Sequence, residues 1–373
     1  MKTQHIDVAA YVWPAYSGRD PRNHIFWPEG EGEWETVRRA KPKFEGHAWP
    51  RTPLWGYQDE ADPAVMEMQI AEALSHGVSV FAYDWYWYDG RPFQEECLNE
   101  GFLGASNCGN MKFYLMWANH HANYLWDRRL ASSDTSTVLW QAYADEKEFK
   151  KIGSRWLETY FCLPNYYRID GKPLLAIYDM TNFCDGLGGI DGARRMMEWL
   201  DGEARTRYGL PGIHFQLIHR GKTAPNLSGV DGNGGDDTPL LSLPFSSVTH
   251  YQYVHITDVA RPFDEAQADV EKEWARLAAL SGDRYLPHVS LGWDNNPRHS
   301  ILKPKILRDN TPDRIEAALR RAKEFALSHG APMITVNSWN EWTEGSYLLP
   351  DDRYGYGYLD AVKKVFLKEN EEG

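Results

Sequence analysis

Eight short apolar runs, each followed by room for a helix, restrict what this chain can fold into more than any other feature of it. They are Ile6–Trp13, Val78–Trp85, Lys112–Asn119, Pro173–Asp179, Ile213–Arg220, Ser247–Val254, Leu286–Asp294 and Met333–Asn340. Runs rich in Val, Ile, Phe and Tyr read as buried strands, and strands alternating with helical stretches read as βα units around a parallel sheet. Eight such units match a (β/α)8 barrel, whereas a doubly wound open sheet more often stops at about five to seven strands. The fold class expected is therefore α/β, a (β/α)8 TIM barrel with long βα loops at its C-terminal face. Residues 1–373 are read as a single domain.

The intervening stretches carry helix signals. Asp62-Pro63 offers an N-cap and a first-turn proline, after which Val65, Met66, Ile70, Ala73 and Leu74 share one face and Gly77 ends the run. Thr311-Pro312 repeats the device before Ile315, Leu319, Ala322 and Ala326, with Gly330 as the stop. Apolar spacing predicts further helices at about 145–161, 190–207, 264–280 and 355–369. Pro14 to Pro63 and Asn119 to about Asp145 are too long for simple connections. In a barrel both follow the C-terminal ends of strands, where loops build active sites. A third segment, Leu227–Leu243, contains Asp231-Gly-Asn-Gly-Gly-Asp-Asp237. It lacks the twelfth-position Glu of a calcium loop and reads as a surface loop.

Composition excludes several classes. Forty Lys plus Arg against 53 Asp plus Glu leave a net charge of −13, with no cationic stripe, so a nucleic-acid partner is not expected. No apolar run approaches the ~18 residues of a membrane span. Met1 to Asp7 lacks the apolar core of a secretory signal. For the chain as given, that fits either a cytoplasmic protein or a trimmed periplasmic or secreted form, and the compartment stays open. Cys97, Cys108, Cys162 and Cys184 show no C-x-x-C spacing and read as buried reduced thiols. His120, His121, Asp84, Asp179, His219, His250 and His288 lie near strand ends, but without H-E-x-x-H or comparable spacing no metal site is assigned. G-x-S-x-G, G-x-G-x-x-G and Walker-type motifs are also missing, so no cofactor is expected.

The chemistry concentrates after the eighth run. Met333-Ile-Thr-Val-Asn-Ser-Trp-Asn-Glu-Trp-Thr-Glu-Gly345 places Glu341 and Glu344 beside Trp339, Asn340 and Trp342. Breaking a glycosidic bond takes one protonated carboxyl and one ionised carboxylate, and two glutamates in unlike surroundings meet that need. Two Glu three residues apart also fit a solvated face or a helix first turn. Their place at the end of a buried strand favours use over solvation. Other runs end in aromatic and polar residues: Tyr11 and Trp13; Asp84, Trp85 and Trp87; Trp117, Asn119 and His120; Tyr251; Trp293 and Asp294. The rings are expected to stack on sugar faces, and Asp84, Asn119, His120 and Asp294 to bond sugar hydroxyls.

Glu33-Trp34-x-x-Val37-x-x-Ala40-x-Pro42-x-Phe44-x-Gly46-His47-x-x-Pro50-Arg51, Tyr86-Trp87-x-x-Gly90, Trp117-Ala118-Asn119 with Trp126-Asp127, Asp170-Gly171-Lys172-Pro173, and Asn340-Glu341-Trp342-x-Glu344-Gly345 with Pro350-Asp-x-Arg353-Tyr354-Gly355 follow one another in order. This series resembles the WbsX-like family, which is similar to glycoside hydrolase family 99. The resemblance implies a barrel acting on glycans, with Glu341 and Glu344 matching the carboxylate pair of retaining endo-α-mannosidases and mannanases. It implies that Glu341 removes the proton of the sugar 2-hydroxyl, so that a 1,2-anhydro sugar forms. It assigns to Glu344 the general acid role and then the general base role. Tyr354 joins the substrate-binding set on the same ground.

Three departures fall at subsite positions: His120 where the group has an acid, Trp85 where it has a histidine, and Tyr-Val-Trp-Pro in place of Tyr-Leu-Pro. They point to a different sugar around a retained acid pair. The expectation is a glycoside hydrolase on an oligo- or polysaccharide, with Arg51 and Arg353 able to offset the acidic balance near the mouth. A biosynthetic glycosyltransferase, a label the group also carries, and a non-catalytic carbohydrate-binding barrel are the alternatives. Sugar identity, endo or exo cleavage and oligomeric state stay open.

Overall fold

In the computed structural model, which describes residues 5–220 and 241–367, eight parallel strands wind into a nearly closed barrel. They are β1 (Asp7–Val12), β2 (Val80–Tyr88), β3 (Lys112–Trp117), β4 (Lys172–Ile177), β5 (His214–Ile218), β6 (Ser247–Thr249), β7 (His288–Ser290) and β8 (Met333–Asn337). The hydrogen-bonded order is β6-β5-β4-β3-β2-β1-β8-β7, and a parallel bridge between Val248 and Tyr285, just ahead of β7, closes the ring. Each of the eight expected runs overlaps one of these strands. Their near-continuous apolar character follows from burial on both faces, by the barrel interior and by the helices outside. In β1 every residue from Val8 to Val12 is buried.

The barrel floor is polar. Thr249 and Thr335 hydroxyls meet at 2.9 Å, and His288 Nδ1 lies 2.9 Å from the Thr335 hydroxyl. These side chains are buried, so their hydrogen bonds to one another replace those lost to water. The Tyr11 hydroxyl, also inside, donates to the carbonyl of His250 at 3.0 Å.

The helices that cover the barrel are α1 (Pro63–Ser75), α2 (Glu146–Trp156), α3 (Ile190–Tyr208), α4 (Phe263–Ser281), α5 (Pro312–His329) and α6 (Gly357–Phe366). α2 runs on through a π turn, Leu157–Phe161, which accounts for the longer amphipathic stretch in the sequence. In α1 Met66, Ile70 and Ala73 are buried as their spacing predicts, while Val65 and Leu74 are only half-buried. Gln69 shares the buried face, and its side chain is used by the site described below.

Several expectations need correction. β6 and β7 are three residues long and β2 runs on to Tyr88, because the chain beyond β6 and β7 curls into 3₁₀ turns while β2 continues into a hairpin with Arg91–Phe93. The Thr311 side chain makes no capping bond, unlike Asp62, whose Oδ1 accepts from the Ala64 amide at 2.9 Å. All four cysteines are free, yet Cys162 is exposed and Cys108 only partly buried. The Asp231–Asp237 stretch lies outside the described residues. No helix among the described residues is long and apolar enough to cross a membrane.

The two long loops sit on the C-terminal face. The first holds a 3₁₀ turn, Pro21–Ile25, and a short helix, Trp34–Arg39; the second folds into a hairpin of Ala122–Asn123 with Val138–Trp140. The unequal caps predict unequal effects. Asp62→Ala is expected to destabilise the protein by about 1 kcal/mol and Thr311→Ala by a few tenths at most, measured by denaturant unfolding. Equal losses would contradict the capping assignment.

Candidate active site

The acid pair is built by the turn that follows β8. The Ser338 hydroxyl accepts from the Glu341 amide at 2.8 Å and donates to the Ser346 carbonyl at 2.7 Å, folding the segment back on itself. A 3₁₀ turn, Trp342–Glu344, ends at Gly345, whose φ of 64° lies in the left-handed region that favours glycine. The β7 end docks closely on this turn. A Cβ on Gly292 would lie 2.1 Å from the Gly345 carbonyl oxygen, and the Asp294 amide donates to the Glu344 carbonyl at 2.6 Å.

Asn340 locks the turn to β1. Its Oδ1 accepts from the Trp13 amide at 2.7 Å, and its Nδ2 donates to the Trp13 carbonyl and to Glu60 Oε2, both at 2.8 Å. Glu60 Oε1 accepts from Gln69 Nε2 at 3.3 Å, while Gln69 Oε1 accepts from the Trp339 indole at 2.7 Å. Asn340 and Trp339 are thus wholly buried and held by α1 and β1, which leaves them no free group for a sugar.

Arg298 gathers the acids. It is 3% exposed, in the 3₁₀ turn Asn296–Arg298 after β7. Nη1 donates to Glu344 Oε1 at 2.7 Å, Nη2 to Glu341 Oε2 at 3.4 Å and Nε to Glu33 Oε1 at 3.0 Å. Burial raises the Glu341 carboxyl well above the ordinary range, with the Glu344 charge adding to it and Arg298 opposing. Burial also raises Glu344, again opposed by Arg298. Three carboxyls facing one guanidinium would bury an excess of negative charge if all were ionised, so the pair shares a proton. Arg298 favours the charge on Glu344, and the Tyr251 hydroxyl, 3.0 Å from Glu341 Oε1, favours it on Glu341.

An arc of rings spans the cluster from one side to the other. The Trp13 indole donates to Glu33 Oε2 at 2.6 Å and lies 5.6 Å from Tyr86. Tyr86 then meets His120 at 5.5 Å, His120 meets Tyr178 at 5.7 Å, and Tyr178 meets Tyr251 at 5.2 Å. Trp126 from the second long loop backs both Trp13 and His120. Burial lowers the His120 imidazole to about 4, so it is neutral at pH 7. Asp84 lies under the arc, its Oδ2 3.0 Å from the Tyr251 hydroxyl, and burial pushes its carboxyl well up.

Of the residues singled out from sequence, Glu341, Glu344, Trp13, Asp84, His120 and Tyr251 come together here. The others are placed differently. Trp85 and Trp87 donate to Glu95 at 2.6 Å and to Glu148 at 2.8 Å on the outer side of β2, because side chains alternate along a strand and Asp84 and Tyr86 take the inner positions. Trp117 packs on Phe149, Trp156 and Phe183. Asn119 is occupied by the backbone of Asp179 at 2.7 Å, and Asp294 by His47 at 2.7 Å and Asn296 at 2.7 Å. Tyr11 lies in the barrel floor, Trp293 is partly buried, and Tyr354 stacks with Arg51, which is itself paired with Asp351 at 2.9 Å. Arg51 is therefore already neutralised.

Sequence reasoning missed Arg298, Tyr86 and Tyr178. Tyr86 follows from the period of two once Asp84 is set inward, and Tyr178 is the penultimate residue of the fourth run. Arg298 had no signal beyond its place after the seventh. A His219, His250 and Glu273 group also converges, with ligand atoms within 4.8 Å of one another. Both Glu273 oxygens already accept from Arg276 at 2.7 Å, so this carboxylate is neutralised without an ion.

A family model described as glycosyltransferase WbsX matches residues 8–362. An uncharacterised protein, WxcX, of Xanthomonas campestris pv. campestris strain B100 is 29% identical over 355 residues, covering 93% of this chain and 48% of its own length. Its counterpart in strain ATCC 33913 is 28% identical over 359 residues. The chain thus spans about half the length of the curated relatives it matches. Among solved structures, the GH99 endo-α-mannosidase of Bacteroides thetaiotaomicron superposes with a TM-score of 0.59 at 14% identity, over 99% of both chains. A glycoside hydrolase-like protein gives 0.60 at 14%, over 98% of this chain and 95% of its own. At such identities the likeness is one of fold.

Glu60 makes stability depend on pH. Burial lifts its carboxyl to about 8, against the two amide donors that pull it down. The folded value is raised, so the stabilising contribution is complete below about pH 4.5 and is lost as pH climbs to about 8, at ~1.4 kcal/mol per unit. Unfolding free energies between those limits are expected to fall more steeply in wild type than in Glu60→Gln by this amount, since the other buried carboxyls titrate in both. Parallel curves would refute the assignment.

Proposed function

The chain belongs to the WbsX family, and we propose from that premise that its barrel hydrolyses glycosidic bonds in an oligo- or polysaccharide with retention, using Glu341 and Glu344. The observation that carries this reading is the pair's geometry. Both carboxyls reach one buried guanidinium, and an arc of indole, phenol and imidazole rings runs from one edge of that cluster to the other.

Rings of this kind stack on the apolar faces of a pyranose and exclude water, which strengthens every charge interaction within. Glu341 takes the proton of the sugar 2-hydroxyl, O2 attacks the anomeric carbon, and the exocyclic C–O bond breaks as Glu344 gives its proton to the leaving oxygen. Glu344 then takes a proton from water, which attacks the anomeric carbon and opens the 1,2-anhydro ring, and Glu341 returns its proton to O2. Such a route suits sugars with the 2-hydroxyl trans to the leaving group, as in α-mannosides. It needs the shared proton on Glu344 when substrate is bound, so the sugar must loosen the 2.7 Å contact between Arg298 and Glu344. The family's description as a glycosyltransferase favours a second reading, in which a sugar hydroxyl replaces water in the second step.

Glycans with α-linked sugars, incubated without nucleotide sugars, are expected to release new reducing ends. Glu341→Gln and Glu344→Gln are each expected to lower kcat by about 10²–10⁴-fold with circular dichroism unchanged. Aryl glycosides with acidic leaving groups are expected to rescue the first step of Glu344→Gln alone, because they need no protonation. Wild-type turnover in both variants would end the proposal. A strict need for a nucleotide sugar would favour transfer, and binding without turnover a carbohydrate-binding barrel.

A further inference from the structure

The Tyr251 hydroxyl stands 3.0 Å from Asp84 Oδ2 and 3.0 Å from Glu341 Oε1. A phenol has one proton to donate, and an ionised carboxylate only accepts. Two charged carboxylates on this oxygen would leave one contact with no hydrogen in it, so one of the two acids must carry a proton and donate it to Tyr251. The surroundings decide which. Glu341 has the Arg298 guanidinium at 3.4 Å to stabilise its charge. Asp84 is 4% exposed, its Oδ1 has no hydrogen-bond partner, and no ion pair among the described residues reaches it. The titratable groups that face it are the phenols of Tyr11, Tyr86, Tyr114, Tyr178 and Tyr251 and the carboxyls of Glu341 and Glu344, none of them a cation.

We infer that Asp84 is a neutral carboxylic acid that donates to the Tyr251 oxygen, so that the Tyr251 proton points to Glu341 and holds that carboxylate ionised and oriented as the base. The inference rests on the assignment of Glu341 as base and adds to it a positioning residue that acts through Tyr251. It also changes what Asp84 does, from a contact for sugar hydroxyls to a proton donor beneath them. A buried acid kept neutral so that it can donate is an established device. Burial of Asp84 in the barrel, with its charge opposed by Glu344, works in the same direction.

Infrared spectra of the full chain at pH 7 test the protonation state without substrate. Protonated-carboxyl carbonyl absorption, to which Glu60 and the proton shared by Glu341 and Glu344 also contribute, is expected to lose one component in Asp84→Asn. A wild type minus Asp84→Asn difference spectrum without that component overturns the inference and leaves the catalytic assignment standing. The kinetic arm separates donation from mere packing. Asparagine keeps an N–H to give to Tyr251, so Asp84→Asn is expected to lose less than about tenfold in kcat and to keep the acidic limb of the pH profile. Tyr251→Phe and Asp84→Ala are expected to lose about 10–10²-fold, with KM little changed and the acidic limb displaced to higher pH. If Asp84→Asn falls as far as Asp84→Ala, Asp84 acts as an anion and the inference fails. If Glu341→Gln retains full activity, it is the proposed function that fails instead.

Discussion

Burial of a single cation among three carboxyls is the constraint around which the C-terminal face of this barrel is arranged. Arg298 is 3% exposed and bonds Glu33, Glu341 and Glu344, which come from the first long loop and from the turn after β8. A guanidinium fork suits this task because its donors lie in one plane and reach several oxygens without losing charge. Each partner alone would be an uncompensated buried charge, and removing one member of such a set typically costs about 3–5 kcal/mol. The loops are therefore coupled through the cluster. Shape here follows from electrostatics, and the Gly292–Gly345 approach is what lets the Arg298 turn come near enough.

A second chain of contacts carries rigidity inward from the protein's outer layer. Gln69 on α1 holds the Trp339 indole and Glu60, Glu60 holds Asn340, and Asn340 grips both backbone groups of Trp13. Glu341 is the next residue in the chain. A helix on the outside of the barrel thus fixes the position of a carboxyl on the inside, with no side chain of that helix entering the site. Preorganisation of this kind would serve the proposed reaction, whose two proton transfers need the acid and base placed before the sugar arrives. Buried hydrogen bonds in place of solvent also hold the polar barrel floor beneath the site.

How much of this was legible in the residues varies with the kind of feature. The strands were readable because burial on both faces leaves a continuous apolar signature, and the helices because proline, glycine and a spacing of three to four mark their limits. The 3₁₀ turns after β6 and β7 were not, since their residues remain as aromatic and polar as those of a strand end. Tryptophan was an ambiguous marker. Trp13 and Trp85 look alike in the sequence, yet one reaches Glu33 within the cluster and the other Glu95 behind the sheet. Period-two alternation separates them only once one residue's direction is known, and a shift of one residue reverses every assignment.

Local order in the chain therefore determined the number of strands, the amphipathic helices, the acid pair after the last strand and the excess of aromatic residues at strand ends. These depend on neighbours a few residues away, and such patterns survive in a linear text. Which aromatics face the acids, which cation neutralises them and which buried acid shares a hydroxyl with Glu341 were decided by tertiary structure. Arg298 is 265 residues from Glu33, and Tyr251 is 167 from Asp84 and 90 from Glu341. Contacts over such separations arise only from closure of the barrel, because charge and hydrogen bonding act through distance in space and leave no period in the sequence.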